Sequence, residues 1–188
     1  MPVVTIALIA IGVIARALDW SPDLAAAWWP WAAVASLFVG GDVIELVVNM
    51  LFLWLFAKSL EDTLGPVRFL ALFIAGGLAA AGAQELVDPD TVVPSVGVAG
   101  SIAALIGAYA LLYPRARILC WALLPFFVTF VEIPALILAA VWFCLQAIPA
   151  VGQPPLAGLL GGLALGLVAI RLLANGRPVL ATEGPRAA

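Results

Sequence analysis

The chain is divided by short polar breaks into apolar runs of about the length needed to cross a bilayer, and this spacing constrains its fold more than any other feature. The runs cover residues 3–18, 43–60, 67–83, 97–113, 135–148 and 156–173. A helix needs roughly 20 mostly apolar residues to cross the hydrocarbon layer. Apolar residues make up 65% of the 188, charged residues 10%, and the mean hydropathy is +1.20, which excludes a soluble globular protein. The expected fold is an all-α membrane protein, a bundle of six transmembrane helices. It forms one domain over 1–175, followed by a short polar tail over 176–188.

A seventh apolar run, 118–131, has 14 residues with Pro125 inside it, and reads as an interfacial or re-entrant segment because it is too short to span. Charge bias supports this count. With six spans and the N-terminus in the cytoplasm, Lys58, Arg68, Arg115, Arg117, Arg171, Arg177 and Arg186 all fall on the cytoplasmic side, leaving only Arg16 outside. Both termini are then cytoplasmic, and a bacterial inner membrane is the simplest host. Residues 19–41, with Trp28, Trp29 and Trp31, suit the headgroup interface. Gly65 and Pro66 mark a tight turn between the second and third spans. Lys58 and Glu61, three residues apart, read as an ion pair closing the second span.

Small residues mark the helices that belong at the centre. Gly100, Ala103, Ala104, Gly107 and Ala108 give the fourth span a face nearly free of side chains, and Gly158, Gly162 and Gly166 repeat at four-residue intervals on the sixth, so these two spans are expected to pack together. The net charge of −3 is scattered, which gives no surface for nucleic acid. Cys120 and Cys144 sit in apolar runs as small hydrophobes, and a chain without histidine has no His-Glu-x-x-His zinc motif. No metal or cofactor is expected.

Four segments together resemble the rhomboid family of intramembrane serine proteases: ELVVNMLFLWLFAKSLEDTLG, VPSVGVAGSIAALIGAYALLYPRAR, EIPALILAAVWFCLQ and LLGGLALG. The similarity runs from about residue 40 to 173. The resemblance implies a serine nucleophile in a Gly-x-Ser-Gly context on the fourth helix, and a histidine base on the sixth, three residues before the first glycine of a Gly-x-x-x-Gly pair. In this chain those positions are Ala99, between Gly97 and Gly100, and Leu159, before Gly162 and Gly166. The resemblance further implies an oxyanion site of histidine and asparagine on the second helix, here Glu45 and Asn49, with a further histidine position at Gly40.

The dyad positions therefore carry a methyl group and an isobutyl group, neither of which transfers a proton. Loss of a nucleophile or base costs on the order of 10⁶ in turnover in a well-studied soluble serine protease. Ser101 lies two residues beyond Ala99, roughly 200° around the helix, and points elsewhere. Lys58 lies at the opposite end of the bundle from Ala99. A carboxylate at Glu45 opposes oxyanion stabilisation. Within the family, pseudoproteases such as the derlins and inactive rhomboids bind client helices. The resemblance thus implies a catalytically inactive rhomboid-like protein. It would sit in the lipid bilayer and bind transmembrane segments of client proteins, with Gly97, Gly100 and Asn49 as binding residues. Two other readings stay open: a disabled or redesigned variant of an active protease, and a small transporter using Glu45.

Overall fold

A computed structural model describes residues 2–17, 43–87, 97–124, 127–146 and 156–173. The 19–41 segment, Gly40, the connection after the third span and the tail lie outside the described residues. The described residues contain six helices: α1 (Val3–Ala17), α2 (Val43–Leu64), α3 (Pro66–Val87), α4 (Gly97–Leu112), α5 (Ala135–Gln146) and α6 (Leu156–Leu173). Three of them, α2, α3 and α6, are long and apolar enough to cross a membrane; α1, α4 and α5 are apolar but shorter.

The helix faces follow from the sequence. On α2, Asn49, Leu53, Phe56 and Leu60 recur at helical spacing and are buried, while Val47, Leu51 and Trp54 stay exposed although equally apolar. Apolar residues on both the inner and the outer face are what lipid surroundings require. Gly65 makes the predicted turn: it stands at φ +82°, its amide bonds the Glu61 carbonyl at 2.9 Å, and Pro66 opens α3. Glycine tolerates the left-handed conformation, and proline at the first helical position lacks only an amide that would be unpaired anyway.

One element departs from the all-α expectation. Arg117–Leu124 and Phe127–Pro134 form an antiparallel hairpin, β1 and β2, in register from Arg117 opposite Pro134 to Leu124 opposite Phe127. The 14-residue run is thus not a transmembrane helix, in keeping with its length, but neither is it helical. Pro125, singled out in the sequence, lies outside the described residues. The Ala135 amide bonds the Ala116 carbonyl at 3.0 Å and closes the base of the hairpin.

The central packing unit is α3, α4 and α6, with α4 against α6 the most extensive contact; α1 lies on α2, and α2 on α4. Polar contacts define one end of the bundle. Glu61 meets Val4 and Thr5, Tyr113 meets Thr63 and the Ser59 carbonyl, and Arg68 reaches the Leu173 carbonyl at 3.5 Å. Lys58, Arg68, Arg115, Arg117 and Arg171 belong to this end and Arg16 to the other, and successive helices alternate in direction.

Candidate functional site

The candidate site lies at the end opposite the basic residues, where α4 and α6 begin. Ile102, Ala103, Ala104, Leu105 and Ala108 are fully buried, so α4 is the axis of the bundle. Glycine makes this possible. A Cβ on Gly162 would collide with the Gly100 carbonyl, and one on Gly166 with the Ala104 carbonyl. A Cβ on Gly107 would stand 2.6 Å from the Leu163 carbonyl oxygen. Equal steps of four in the same direction mean that α4 and α6 run parallel with their backbones in contact. Gly158 is also buried on α6. On the other flank, Gly76 of α3 abuts Ala104, and Gly161 abuts Ala83.

This register locates the two positions singled out in the sequence. Ala99 precedes the Gly100 contact by one residue and Leu159 precedes Gly162 by almost one turn, so both stand at the same end of the helix pair. Each is 1% exposed, and both belong to one apolar cluster. Gly97 is the first residue of α4. Ser101 lies on the side facing α3, where a Cβ on Gly76 would be 3.7 Å from the Ser101 Cα.

Asn49, 2% exposed, occupies the buried stripe of α2, and its Oδ1 has no partner among the described residues. Glu45, one turn earlier, is half-buried and has an interaction of its own. Sequence reasoning passed over three further polar groups at this end. Gln84 on α3, and Trp142 and Gln146 on α5, are buried, with Gln84 Oε1, Trp142 Nε1 and both amide atoms of Gln146 unpartnered among the described residues. The Ser101 hydroxyl joins them. Contact between the Phe52 and Trp142 rings, centroids 6.5 Å apart, brings α5 against α2 within a turn of Asn49. A glutamine closing an apolar run was the available signal, but only the fold shows that it turns inward.

A buried polar group left without a partner costs about 1–3 kcal/mol, so native proteins seldom leave several together without water or a ligand to meet them. These amides and the indole donate and accept hydrogen bonds but do not ionise near neutral pH. The arrangement is suited to hydrogen-bonding polar groups. Among the described residues no group of three or more His, Cys, Asp or Glu side chains could hold a metal.

One sequence reading needs correction. Glu61 does not serve as the surface half of a pair with Lys58: it is 4% exposed, and its carboxylate accepts from the Val4 and Thr5 amides, both at 2.8 Å, and from the Thr5 hydroxyl at 2.7 Å. Glu61 thus caps the first turn of α1, where free amides and the helix dipole favour an anion.

Residues 27–175 match the family model described as Rhomboid domain. Among curated proteins, the chain is 36% identical to Presenilin-associated rhomboid-like protein A, mitochondrial, of Danio rerio over 87 residues, 45% of this chain and 23% of that protein. It is 34% identical to Rhomboid protein 1, mitochondrial, of Saccharomyces cerevisiae over 90 residues, 46% of this chain and 26% of that protein. RHOMBOID-like protein 5 of Arabidopsis thaliana is 30% identical over 78 residues, 42% of this chain and 25% of that protein. The matched segments span about a quarter of each relative's length.

Proposed function

The chain belongs to the rhomboid family, and from that premise we propose that it is a non-proteolytic member, a multi-pass membrane protein that binds transmembrane segments of client proteins. One observation carries this reading. At the α4–α6 seam, where the family resemblance puts nucleophile and base, Ala99 and Leu159 are packed in an apolar cluster while the glycine-to-carbonyl contacts around them persist. The helices keep the close approach that positions the two sites, and neither site carries a reactive atom. Asn49, Gly97 and Gly100 are the proposed binding residues, and the buried amides of Asn49, Gln84 and Gln146, which have atoms unpartnered among the described residues, would supply polar contacts for a segment entering that end. On the arginine distribution, a bacterial inner membrane is the proposed host; the mitochondrial designations belong to the relatives.

The test has two arms. A fluorophosphonate probe should leave the detergent-solubilised chain unlabelled; strong labelling abolished by Ser101→Ala overturns the proposal. In nanodiscs, a fluorescent single-span peptide should bind saturably and remain uncleaved, and absence of saturable binding across a panel of such peptides counts against a client-binding role.

The total absence of histidine favours a second reading, that of a disabled version of an active protease. Ala99→Ser with Leu159→His, and Glu45→His added in a third variant, should then restore cleavage of a single-span substrate. Failure in correctly folded protein sinks that alternative.

A further inference from the structure

Among the described residues, the strands of the hairpin lie apart from the candidate site and pack little against the bundle. Beyond its own pairing, its main contact among the described residues is with α5. Each strand has eight residues, about 26 Å at 3.3 Å per residue, so the hairpin reaches well away from its base. Between Arg117 and Glu132 the sequence has no charged residue, and both sets of alternate positions are apolar: Ile118, Cys120, Ala122 and Leu124 in one, Leu119, Trp121 and Leu123 in the other. A strand that meets water on one face alternates apolar with polar residues, and this one does not. A lone two-stranded hairpin is also marginal in water.

We propose that the hairpin is a membrane-interface anchor, lying at the boundary between headgroups and acyl chains of the leaflet at the basic end of the bundle, with lipid as its partner. Three observations select that depth and that occupant. The hairpin leaves α4 and enters α5 at the end of the bundle where Lys58, Arg68 and Arg171 also lie, so it starts at a membrane surface by construction. Its charges are confined to the base, where exposed Arg115 and the exposed Arg117–Glu132 pair, at 3.4 Å, sit at headgroup level; Arg115 is suited to anionic lipid phosphate. The outer edge of each strand carries backbone amides and carbonyls that hydrocarbon leaves unpaired at a cost of several kcal/mol each, and that headgroups and interfacial water satisfy. Apolar faces exclude water, unpaired edges exclude the bilayer centre, and the interface meets both demands. Because Pro134 is followed directly by Ala135, and the Ala116–Ala135 bond clamps the base, the anchor is continuous with α5.

Spin labelling tests the depth in the full chain, reconstituted in nanodiscs of mixed phosphatidylcholine and phosphatidylglycerol. Cys144→Ser leaves Cys120 on β1 as the single labelling site. A second variant, Thr129→Cys with both native cysteines changed to serine, places the label on β2. Power saturation with oxygen and with a water-soluble nickel chelate should report a depth just below the phosphates at both sites, with oxygen collisions exceeding nickel collisions. Strong nickel access at both sites means a water-exposed hairpin and overturns the proposal. A depth at the bilayer centre overturns it in favour of a re-entrant element. Low access to both reagents, persisting when the protein is diluted to one copy per disc, means that protein covers the hairpin and also overturns it. Each variant is first checked for co-elution with the parent chain, and the two sites on separate strands guard against one label disturbing the register.

Discussion

Glu61 provides the sharpest quantitative test of the fold, because the capping arrangement and a surface ion pair predict opposite rankings of the same mutants. The carboxylate holds three hydrogen bonds to α1, at 2.8, 2.8 and 2.7 Å, from a site 4% exposed. Glu61→Gln keeps one oxygen but turns an NH₂ group toward a backbone amide. One capping bond is lost, at about 1–2 kcal/mol. Glu61→Ala removes all three acceptor contacts; charge-assisted bonds contribute about 1.5–3 kcal/mol each but do not add, so a loss of about 3 kcal/mol is expected. For 150–250 residues each kcal/mol corresponds to roughly 2–4 °C in Tm, which makes the alanine variant lower by about 6–12 °C. Lys58→Ala, at an exposed position, should cost about 0.5 kcal/mol or less, as surface pairs do. Thr5→Val removes only the hydroxyl donor, at about 1 kcal/mol, and in the Glu61→Ala background it should cost much less because its partner is already gone. The assay is thermal unfolding of the detergent-solubilised chain, followed by intrinsic tryptophan fluorescence. If Lys58→Ala proves as costly as Glu61→Ala while Thr5→Val is silent, the capping argument is wrong and the local ion pair is restored.

Three further outcomes are expected. Gly166→Leu places a side chain against the Ala104 carbonyl, so it should force α4 and α6 apart and lower stability by about 1–3 kcal/mol or more, whereas Gly82→Leu, where no atom lies within 4 Å of a built Cβ, should be tolerated far better; comparative unfolding in one detergent distinguishes them. Asn49→Leu removes a buried acceptor without a partner among the described residues, so stability should hold or rise by up to about 1 kcal/mol while single-span peptide binding in nanodiscs weakens; a loss of stability with unchanged binding refutes a binding role for Asn49. Gln146→Leu should behave in the same way, and matched effects at the two positions, on α2 and α5, would place them in one binding region.

What was legible in the sequence was whatever depends on length and side-chain size. The breaks between apolar runs fall close to the observed helix ends, the Gly65–Pro66 turn forms where its residues demand it, and the small residues of α4 and α6 meet as their spacing predicts. The departures concern what spacing along a single helix does not carry. Glu61 was read against Lys58 because a helix offers only neighbours three and four residues away, yet its ligands lie 56 and 57 residues distant. The 118–131 run was ambiguous because an apolar segment with no polar alternation shows neither the period of a helix nor that of a strand. The inward turn of Gln84 and Gln146 depends on which face α3 and α5 present to the bundle, and an apolar helix surrounded by lipid carries little amphipathic pattern to announce it. The candidate site combines features of both kinds. Its geometry rests on glycines, whose spacing is visible in the sequence, whereas its buried amides, with atoms unpartnered among the described residues, are brought to one end only by the packing of α2, α3 and α5. On the proposed reading, the glycine contacts around Ala99 and Leu159, together with buried polar groups at the same end that are unpartnered among the described residues, would hold a polar segment without acting on it. That makes peptide binding in nanodiscs, rather than turnover, the measurement on which the functional reading depends.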